Sequence, residues 1–540
     1  MKRIGWVFSQ ASVAAVALVC VAVLAAGGQD FPFFSDWPIA GQNLSNTRSQ
    51  SLERVINSSN VAGLSPLWTF TTAASVSVTP VVAGDQVYFP DWAGNIYAVD
   101  RHTGGLLWSA KVSGYDGYTG AVARSSLAVY GDELIFGDNE GYTGLHNGAN
   151  LIAVNRFTGG LRWITSIDSH PAAVVTGPPV VYNGVVYQGI SSSEETLAIQ
   201  PSYPCCTFRG SVVAVDARTG QLLWKTYDMP DNHGYPDRYS GGAIWQQPVI
   251  DPQRAVLYIG TGNNYTAPAS VLACQTANPQ ASNCAAPDDY FDTALALDLR
   301  TGAVRWSRNL GAGAILWSRR LWNYDVWTVA CLIPGDTAHC ASPSGPDYDL
   351  GGAGANLLGH LIGFGQKSGI YWALDPDSGS ILWSTPVGPG GTLGGIEWGT
   401  ATDGYRIYVA IGNSKHTPYT LTSGQQITWG AWSALNPATG KILWQTADPT
   451  KGALDTGAVS VANGVLYAGS LSGSMYALDA ATGNILWSFS SGGSVIDGPA
   501  IVGGTVYWGS GYARIGGTGN NKVYAFTVSN RRPQERHFHQ

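Results

Sequence analysis

The sequence predicts an all-β fold, an eight-bladed β-propeller with a tryptophan in each blade, closed by pairing of its N- and C-terminal segments. Three observations predict this fold. The composition suits strands and turns, a short motif returns along the whole chain, and two complementary halves of that motif stand at opposite ends.

The composition favours strands and turns over surface helices. The 540 residues include 69 Gly, 20 Trp and 26 Tyr but only 3 Met, and 12% are charged. Aromatic residues are enriched in strands and glycine in turns. The net charge of −7 and the lack of a polybasic run give no support to nucleic-acid binding, which needs basic patches. We therefore expect neutral small molecules or a positively charged protein as partners.

The recurring motif is a short strand ending in Asp or Asn, then in most copies Thr-Gly, and then a strand that carries Trp. The Asp or Asn side chain favours a turn, and glycine supplies the positive φ that the turn requires. Several short antiparallel strands per unit, repeated radially, are typical of propeller blades. The seven complete copies end at Trp108, Trp163, Trp224, Trp306, Trp383, Trp444 and Trp487.

The eighth copy is split between the two ends of the chain. Residues 67–70 (Leu-Trp-Thr-Phe) resemble the back half of a unit, and residues 523–526 (Val-Tyr-Ala-Phe) resemble a front half. If the two halves pair, one blade contains both ends and the ring has no exposed sheet edge. An open solenoid is the alternative, and the complementary halves favour closure.

The repeat spacing is uneven in the middle of the chain. Successive tryptophans are 40 residues apart from Trp68 to Trp108 but 82 apart from Trp224 to Trp306. The additional residues form loop insertions around 227–368. Because insertions in repeat proteins map to loops, often on the binding face, we expect the functional site there.

The N-terminus has the pattern of a secretory signal. Lys2 and Arg3 precede an apolar run from Ala11 to Ala26, which predicts a signal peptide over 1–26 and a single propeller domain over 27–540. A retained anchor is the alternative, since residues 4–8 lengthen the apolar segment. Cleavage would place the mature chain, without a membrane span, in the periplasm or outside the cell.

The six cysteines of the predicted mature chain fall into three local pairs. An even number with short spacings in an exported protein predicts disulfides. No Cys-x-x-Cys-His motif is present, so the sequence predicts no covalent haem. The expected bonds are Cys205–Cys206, Cys274–Cys284 and Cys331–Cys340.

A Trp closing each blade after Ala-x-Asp-x-x-Thr-Gly resembles the tryptophan-docking repeats of the quinoprotein alcohol dehydrogenases, which use pyrroloquinoline quinone (PQQ). The resemblance covers nearly all of the mature chain. Residues 205–210 (Cys-Cys-Thr-Phe-Arg-Gly) are most similar to the polyvinyl alcohol dehydrogenases. Related blades also occur in outer-membrane assembly scaffolds that have no cofactor. The choice between enzyme and scaffold therefore depends on the cofactor residues.

The resemblance implies a set of PQQ-binding residues. An Arg would bind the cofactor carboxylates, a Thr would hydrogen-bond it, a Trp would lie flat under the quinone, a Lys would face its oxygens, and a vicinal disulfide would cover it. The alcohol dehydrogenases carry their vicinal pair earlier in the chain. The matching positions are Arg124, Thr176, Cys205, Cys206, Trp245, Lys367 and, in a later ring motif, Trp398.

The catalytic segment departs from the family pattern, in which Asp-x-Trp-Asp-Tyr is contiguous. Here residues 325–327 (Asp-Val-Trp) and 347–349 (Asp-Tyr-Asp) are separated by an insert that carries Cys331 and Cys340. If that disulfide closes the insert into a side loop, the two pieces meet. Asp347 is then the catalytic residue, with Asp325 as the alternative base.

The metal ligands implied by the resemblance are oxygen donors. They are Glu194 or its neighbour Glu195, Asn263, Asp347, and Asp349, which stands where lanthanide-dependent relatives carry an additional acidic ligand. Such ligands suit Ca²⁺, with a lanthanide as the alternative. A cation beside the quinone makes it a stronger electrophile, while a carboxylate accepts the hydroxyl proton.

The expected activity is oxidation of alcohols by hydride transfer to PQQ. Secondary alcohols or polyols such as polyvinyl alcohol are the first expectation. Small primary alcohols, or a non-catalytic scaffold for protein assembly, are the alternatives. Because the sequence predicts no haem in this chain, we expect electrons to pass to an external acceptor, a cytochrome c.

Overall fold

Eight four-stranded antiparallel sheets, one for each predicted blade, make up the fold. The computed structural model describes residues 35–140, 148–278, 281, 283–311, 315–316, 319–320, 324–335, 338–350, 352–514 and 516–528. The predicted signal peptide lies outside these residues. Among the residues described, no helix has the length and apolar character needed to cross a membrane.

We number the blades 1 to 8 along the chain. In blades 1 and 7, for example, the first strand is fully buried and the fourth contains only exposed and half-buried residues, so the first strand lies on the inner side. Blade 1 contains Val81–Ala83, Gln86–Pro90, Asn95–Asp100 and Leu106–Lys111. Blade 2 contains Ala128–Tyr130, Glu133–Gly137, Ala149–Asn155 and Leu161–Asp168. Blade 3 contains Val180–Tyr182, Val185–Ser192, Ser211–Asp216 and Leu222–Tyr227. Blade 4 contains Val249–Asp251, Val256–Gly260, Thr293–Asp298 and Val304–Asn309.

The second half of the ring has the same order. Blade 5 contains Ala355–Leu358, Leu361–Gly365, Ile370–Leu374 and Ile381–Pro386. Blade 6 contains Ala401–Thr402, Ile407–Ile411, Ala431–Leu435 and Ile442–Ala447. Blade 7 contains Val459–Ala462, Val465–Gly469, Ser474–Asp479 and Ile485–Ser490. Blade 8 contains Ala500–Val502, Thr505–Ser510, Lys522–Val528 and Leu64–Thr71.

Short elements lie outside the blades. The helices are α1 (Ser113–Asp116), α2 (Glu194–Leu197) and α3 (Ala269–Ala277), with 3-10 turns at Val61–Gly63 and Val329–Leu332. Two short strands join existing blades, Ala173–Val174 on blade 3 and Ser49–Gln50 on blade 7. Three small ribbons are Ser240–Gly241 with Asn264–Thr266, Ile315–Leu316 with Arg319–Arg320, and Tyr419–Thr420 with Gln426–Ile427.

The repeat tryptophan joins each blade to the next one. The Trp68 indole of blade 8 donates a hydrogen bond to the Arg101 carbonyl of blade 1, at 2.9 Å. A Cβ at Gly104, whose φ is +71°, would lie 2.8 Å from the Trp68 ring, so this turn requires glycine for both its conformation and its packing. The same indole-to-carbonyl bond follows at Trp108, Trp163, Trp224, Trp306, Trp383, Trp444 and Trp487.

The ring closes as the split repeat predicts. The strand Leu64–Thr71 pairs antiparallel with Lys522–Val528, with Trp68 opposite Ala525. The structure also forms the three predicted disulfides, Cys205–Cys206, Cys274–Cys284 and Cys331–Cys340.

A segment before blade 1, residues 37–50, crosses the inner strands in ring order, and we call it the collar. It exchanges backbone hydrogen bonds with the first strands of blades 1, 2, 4, 5, 6 and 7. Its last residue, Gln50, donates to the Ile501 carbonyl of blade 8 at 3.3 Å. One extended segment therefore contacts the inner side of seven blades.

Candidate active site

A cavity of about 340 Å³ opens among the loops at one end of the ring. Its lining residues come from blades 2 to 8, so it lies at the ring axis. They stand on two kinds of loop, the segment that enters the first strand of a blade and the connection between its second and third strands. The central insertions supply two of its acidic residues, Asp347 and Asp349, and the other two, Glu195 and Glu397, lie outside those insertions.

The acidic end of the cavity contains two aspartates around one lysine. The Lys367 ammonium lies 2.9 Å from Asp347 Oδ1 and 3.0 Å from Asp349 Oδ2. Burial raises the pKa of Asp347 well above its usual range, although Lys367 opposes the shift. Burial lowers the pKa of Lys367, but Asp347 and Asp349 outweigh it and raise that pKa well above its usual range.

Asp347 is positioned by Asp325. The Asp325 carboxylate accepts the backbone N–H of Asp347 at 3.0 Å and that of Tyr348 at 2.6 Å. Asp347 is fully buried, and its φ of +61° is unusual for a residue with a side chain. The two separated pieces of the catalytic motif therefore meet. Asp325 does not line the cavity, whereas Asp347 does, so Asp325 lies behind Asp347 as seen from the cavity.

Several oxygen atoms at this end fit a hard cation. Both amide hydrogens of Asn263 donate to carbonyls, of Asn264 and Trp327, each at 2.8 Å, which leaves its side-chain oxygen for a ligand. Asp347 Oδ2 is buried with no hydrogen-bond partner among the described residues. Carboxylate and amide oxygens are the ligands preferred by Ca²⁺ and similar cations. The free oxygens of Asn263 and Asp347 therefore suit a cation, while the described residues hold no cluster of three or more Asp, Glu, His or Cys side chains around one point.

The two adjacent glutamates have different places. Glu194 is fully buried outside the cavity, and its carboxylate accepts the Tyr203 hydroxyl at 2.9 Å and the N–H groups of Thr207 and Phe208 at 3.0 and 2.7 Å. Glu195 lines the cavity instead. Burial raises the pKa of Glu195 to about 7. Glu195 is therefore the glutamate that faces the cavity, whereas the Glu194 oxygens already bind the chain.

The aromatic floor of the cavity consists of Trp245 and Trp398. The two rings meet edge to face with centroids 4.9 Å apart. A Cβ at Gly352 would lie 2.4 Å from the Trp245 ring, so a residue without a side chain lets the ring seat there. The Arg124 guanidinium lies 4.7 Å from the centre of the Trp398 ring. Thr176 lines the same cavity and accepts the Ser191 hydroxyl at 2.7 Å.

The vicinal disulfide does not lie where the sequence resemblance places it. Cys206 is fully buried in the core beside blade 3, and neither Cys205 nor Cys206 lines the cavity. The Glu194 carboxylate holds the backbone that follows the pair. The disulfide thus belongs to the core beside blade 3, and no cysteine lines the cavity among the described residues.

Sequence reasoning missed several lining residues. Glu397 is next to the predicted Trp398, and burial raises its pKa to about 7. Tyr265 follows the predicted Asn263 by two positions. Arg514 lines the cavity near blade 8, with its guanidinium 4.9 Å from the Trp92 ring centre. Adjacency to a predicted residue was a usable signal for Glu397, whereas no motif marks Arg514.

Comparison with known proteins gives consistent results. The family model described as "Glucose/ethanol/alcohol dehydrogenase, beta-propeller domain" matches residues 37–339, and the model "Outer membrane protein assembly factor BamB" matches residues 430–534. The polyvinylalcohol dehydrogenase of Sphingopyxis sp. (strain 113P3) is 32% identical over 515 residues, covering 85% of this chain and 72% of the relative. That of Pseudomonas sp. is 30% identical, covering 91% and 77%.

Solved structures share the propeller. The quinohemoprotein alcohol dehydrogenase of Comamonas testosteroni superposes with a TM-score of 0.66 at 19% identity, covering 96% of this chain and 85% of that one. A europium-containing methanol dehydrogenase superposes with a TM-score of 0.62 at 17% identity, covering 92% and 98%. At these identities the superpositions show the fold.

Proposed function

The chain belongs to the PQQ-dependent alcohol dehydrogenase family, with polyvinylalcohol dehydrogenases among its relatives, and from this premise we propose that it oxidises secondary alcohols or polyols such as polyvinyl alcohol. One observation carries the proposal. Asp347 is fully buried, with Lys367 on one carboxylate oxygen and no partner on the other among the described residues. That arrangement suits a general base beside a cation site.

Each group at the site has a role in the proposal. PQQ, when bound, would supply the hydride acceptor, and a cation beside it would supply Lewis-acid polarisation. Asp347 Oδ2 accepts the proton of the substrate hydroxyl, while Lys367 neutralises charge at Oδ1 and Asp325 fixes the backbone. Glu195 and Asn263 are the proposed cation ligands beside the Asp347 base, whereas the Asp349 oxygens already bind the Asn263 N–H and Lys367. Trp245 and Trp398 form the apolar floor for a planar ring, and Arg124 and Thr176 bind its polar edge.

The proposal extends to location and electron transfer. We propose that residues 1–26 direct export and that the mature chain works in the periplasm or outside the cell. Three disulfides support an oxidising compartment. Reduced cofactor would pass electrons to an external cytochrome c.

Reconstitution tests the proposed function. The purified protein is loaded with PQQ and either Ca²⁺ or La³⁺, and dye-linked oxidation of polyvinyl alcohol, 2-propanol and ethanol is measured. We expect activity that requires both PQQ and the cation and is greatest for the secondary alcohols. Preference for ethanol would instead support the primary-alcohol alternative. Failure to bind PQQ with either cation would overturn the enzyme proposal in favour of an assembly scaffold.

A further inference from the structure

We propose that one sector of the cavity mouth binds the aliphatic carbon chain of an extended, polyhydroxylated substrate on both sides of the reacting carbinol. This apolar sector consists of Val329, Leu332, Leu393, Leu454 and Leu471. The inference rests on the proposed function, because it names the residues that would separate polymeric from small alcohols.

Two cavity-lining arginines stand at blades that carry none of these five apolar residues, whereas Lys367 lies among the apolar residues at the acidic end. Val329 and Leu332 stand on the connection from blade 4 to blade 5. Leu393 and Leu454 stand on the next two connections, and Leu471 lies between the second and third strands of blade 7. Arg124 and Arg514 stand at blades 2 and 8. Cations suit the carboxylates of an anionic cofactor, whereas leucines suit hydrocarbon. The five apolar residues thus offer a carbon chain a surface that begins beside the acidic end and lies away from the two arginines.

The 3-10 turn that carries Val329 and Leu332 is held in place at three points. The Cys331–Cys340 disulfide closes its loop. The Thr328 hydroxyl donates to the His339 carbonyl at 2.7 Å, and His339 Nδ1 lies 2.8 Å from the Ala198 carbonyl at the end of α2. Because α2 also carries Glu195, the apolar turn is fixed relative to the acidic end of the cavity.

The apolar surface continues beyond the cavity. Leu332 is 56% exposed and the next residue, Ile333, is 41% exposed. Single exposed apolar residues are ordinary on protein surfaces, but these two are adjacent at the rim of a binding cavity. A small alcohol would fill only the space beside Asp347, whereas a polymer would also contact this rim. The rim therefore contributes binding to long substrates alone.

The test compares two substrates in the reconstituted holoenzyme. We measure kcat/KM for polyvinyl alcohol oligomers and for 2-propanol in Leu332→Ser and Ile333→Ser. The matched control is Leu107→Ser, which changes a leucine that is 48% exposed on the outer strand of blade 1. We expect the polymer-to-propanol ratio of kcat/KM to fall about tenfold in the rim variants through KM, and to stay unchanged in the control.

A disulfide pair gives a second comparison. Cys331→Ser/Cys340→Ser should lower the same ratio, whereas Cys274→Ser/Cys284→Ser, which opens the loop at α3, should leave it unchanged. An unchanged ratio in both rim variants, or an equal fall in Leu107→Ser, would overturn the inference while the proposed function stands. If the unaltered holoenzyme oxidises neither substrate, the proposed function is itself wrong, and the inference with it.

Discussion

The aspartates of the outer turns differ from those between blades 4 and 5 in their surroundings: the first lie near solvent and the second are buried. Asp100 is half-buried and accepts the N–H groups of His102 and Thr103 and the Thr103 hydroxyl, and this hydrogen bonding lowers its pKa. Asp325 and Asp347 are buried, and burial raises their pKa. The turn aspartates accept hydrogen bonds from residues two or three positions away, so the repeated motif contains both partners. Asp325 instead accepts hydrogen bonds from residues 22 and 23 positions away, and no repeat of the sequence marks that contact.

The largest expected effect is at Asp347, the buried member that faces the cavity. Asp347→Asn removes the proposed base, so kcat for 2-propanol should fall about 10³-fold. The matched control, Asp100→Asn in an outer turn, should keep full activity. Dye-linked kinetics and PQQ titration by fluorescence check both variants. Retained activity in Asp347→Asn would contradict the role proposed for this residue.

The adjacent residues Glu194 and Glu195 allow a residue that supports the fold to be compared with one that lines the cavity. Glu195→Gln weakens a proposed cation ligand, and the Ca²⁺ affinity of the PQQ-loaded protein should fall by about 10- to 100-fold. Glu194→Gln instead alters the acceptor of three backbone and hydroxyl donors, so it should lower the melting temperature by a few degrees and leave the cation affinity unchanged. Calorimetric Ca²⁺ titration and thermal unfolding separate the two. The reverse assignment of effects would return the ligand to Glu194.

A smaller effect is expected at Asp325, which positions the base without touching the cavity. Asp325→Ala leaves the N–H groups of Asp347 and Tyr348 without their acceptor. We expect kcat to fall about tenfold while KM changes little, because the base is misplaced and substrate contacts remain. Asp325→Asn keeps an acceptor oxygen and should recover part of the loss. A loss as large as that of Asp347→Asn would make Asp325 the base.

The smallest expected effect is a change in stability at Asp298, which lies in an outer turn. Hydrogen bonding to Arg305 lowers the pKa of Asp298 to about 2, below its usual value of about 3.9 in an unfolded chain. The resulting stability is present above pH 4 and is lost as pH falls towards 2. Because the pair is partly exposed, its contribution is below about 1 kcal/mol. Urea unfolding of Asp298→Asn should therefore differ from wild type at pH 6 and converge with it near pH 2.

Repetition explains why the fold could be predicted from the sequence. Each tryptophan makes the same indole-to-carbonyl bond, and the split repeat pairs as expected, with Trp68 opposite Ala525. The collar was not predicted, since its backbone bonds to inner strands need no particular side chain.

The site could be predicted only in part. Asp347, Asp349, Asn263, Lys367, Trp245 and Trp398 all line one cavity. The choice between Glu194 and Glu195 depends on which side of the short helix α2 faces the cavity. The sequence around two adjacent glutamates does not specify that side. The cofactor contact expected of Cys205–Cys206 stays a prediction, since neither residue lines the cavity and the Glu194 carboxylate holds the backbone that follows the pair.

The collar has a consequence for how this ring evolves. Proteins made of repeats readily gain or lose a unit by duplication or deletion. Here residues 37–50 meet the blades in ring order, from Trp37 on blade 1 to Gln50 on blade 8, 451 positions before its partner Ile501. A chain with seven blades would leave some collar carbonyls without the strand N–H groups that donate to them, and a chain with nine would leave one inner strand without a collar residue to meet. The collar thus ties the number of repeats to eight, and an inheritable change in that number requires a matching change before blade 1.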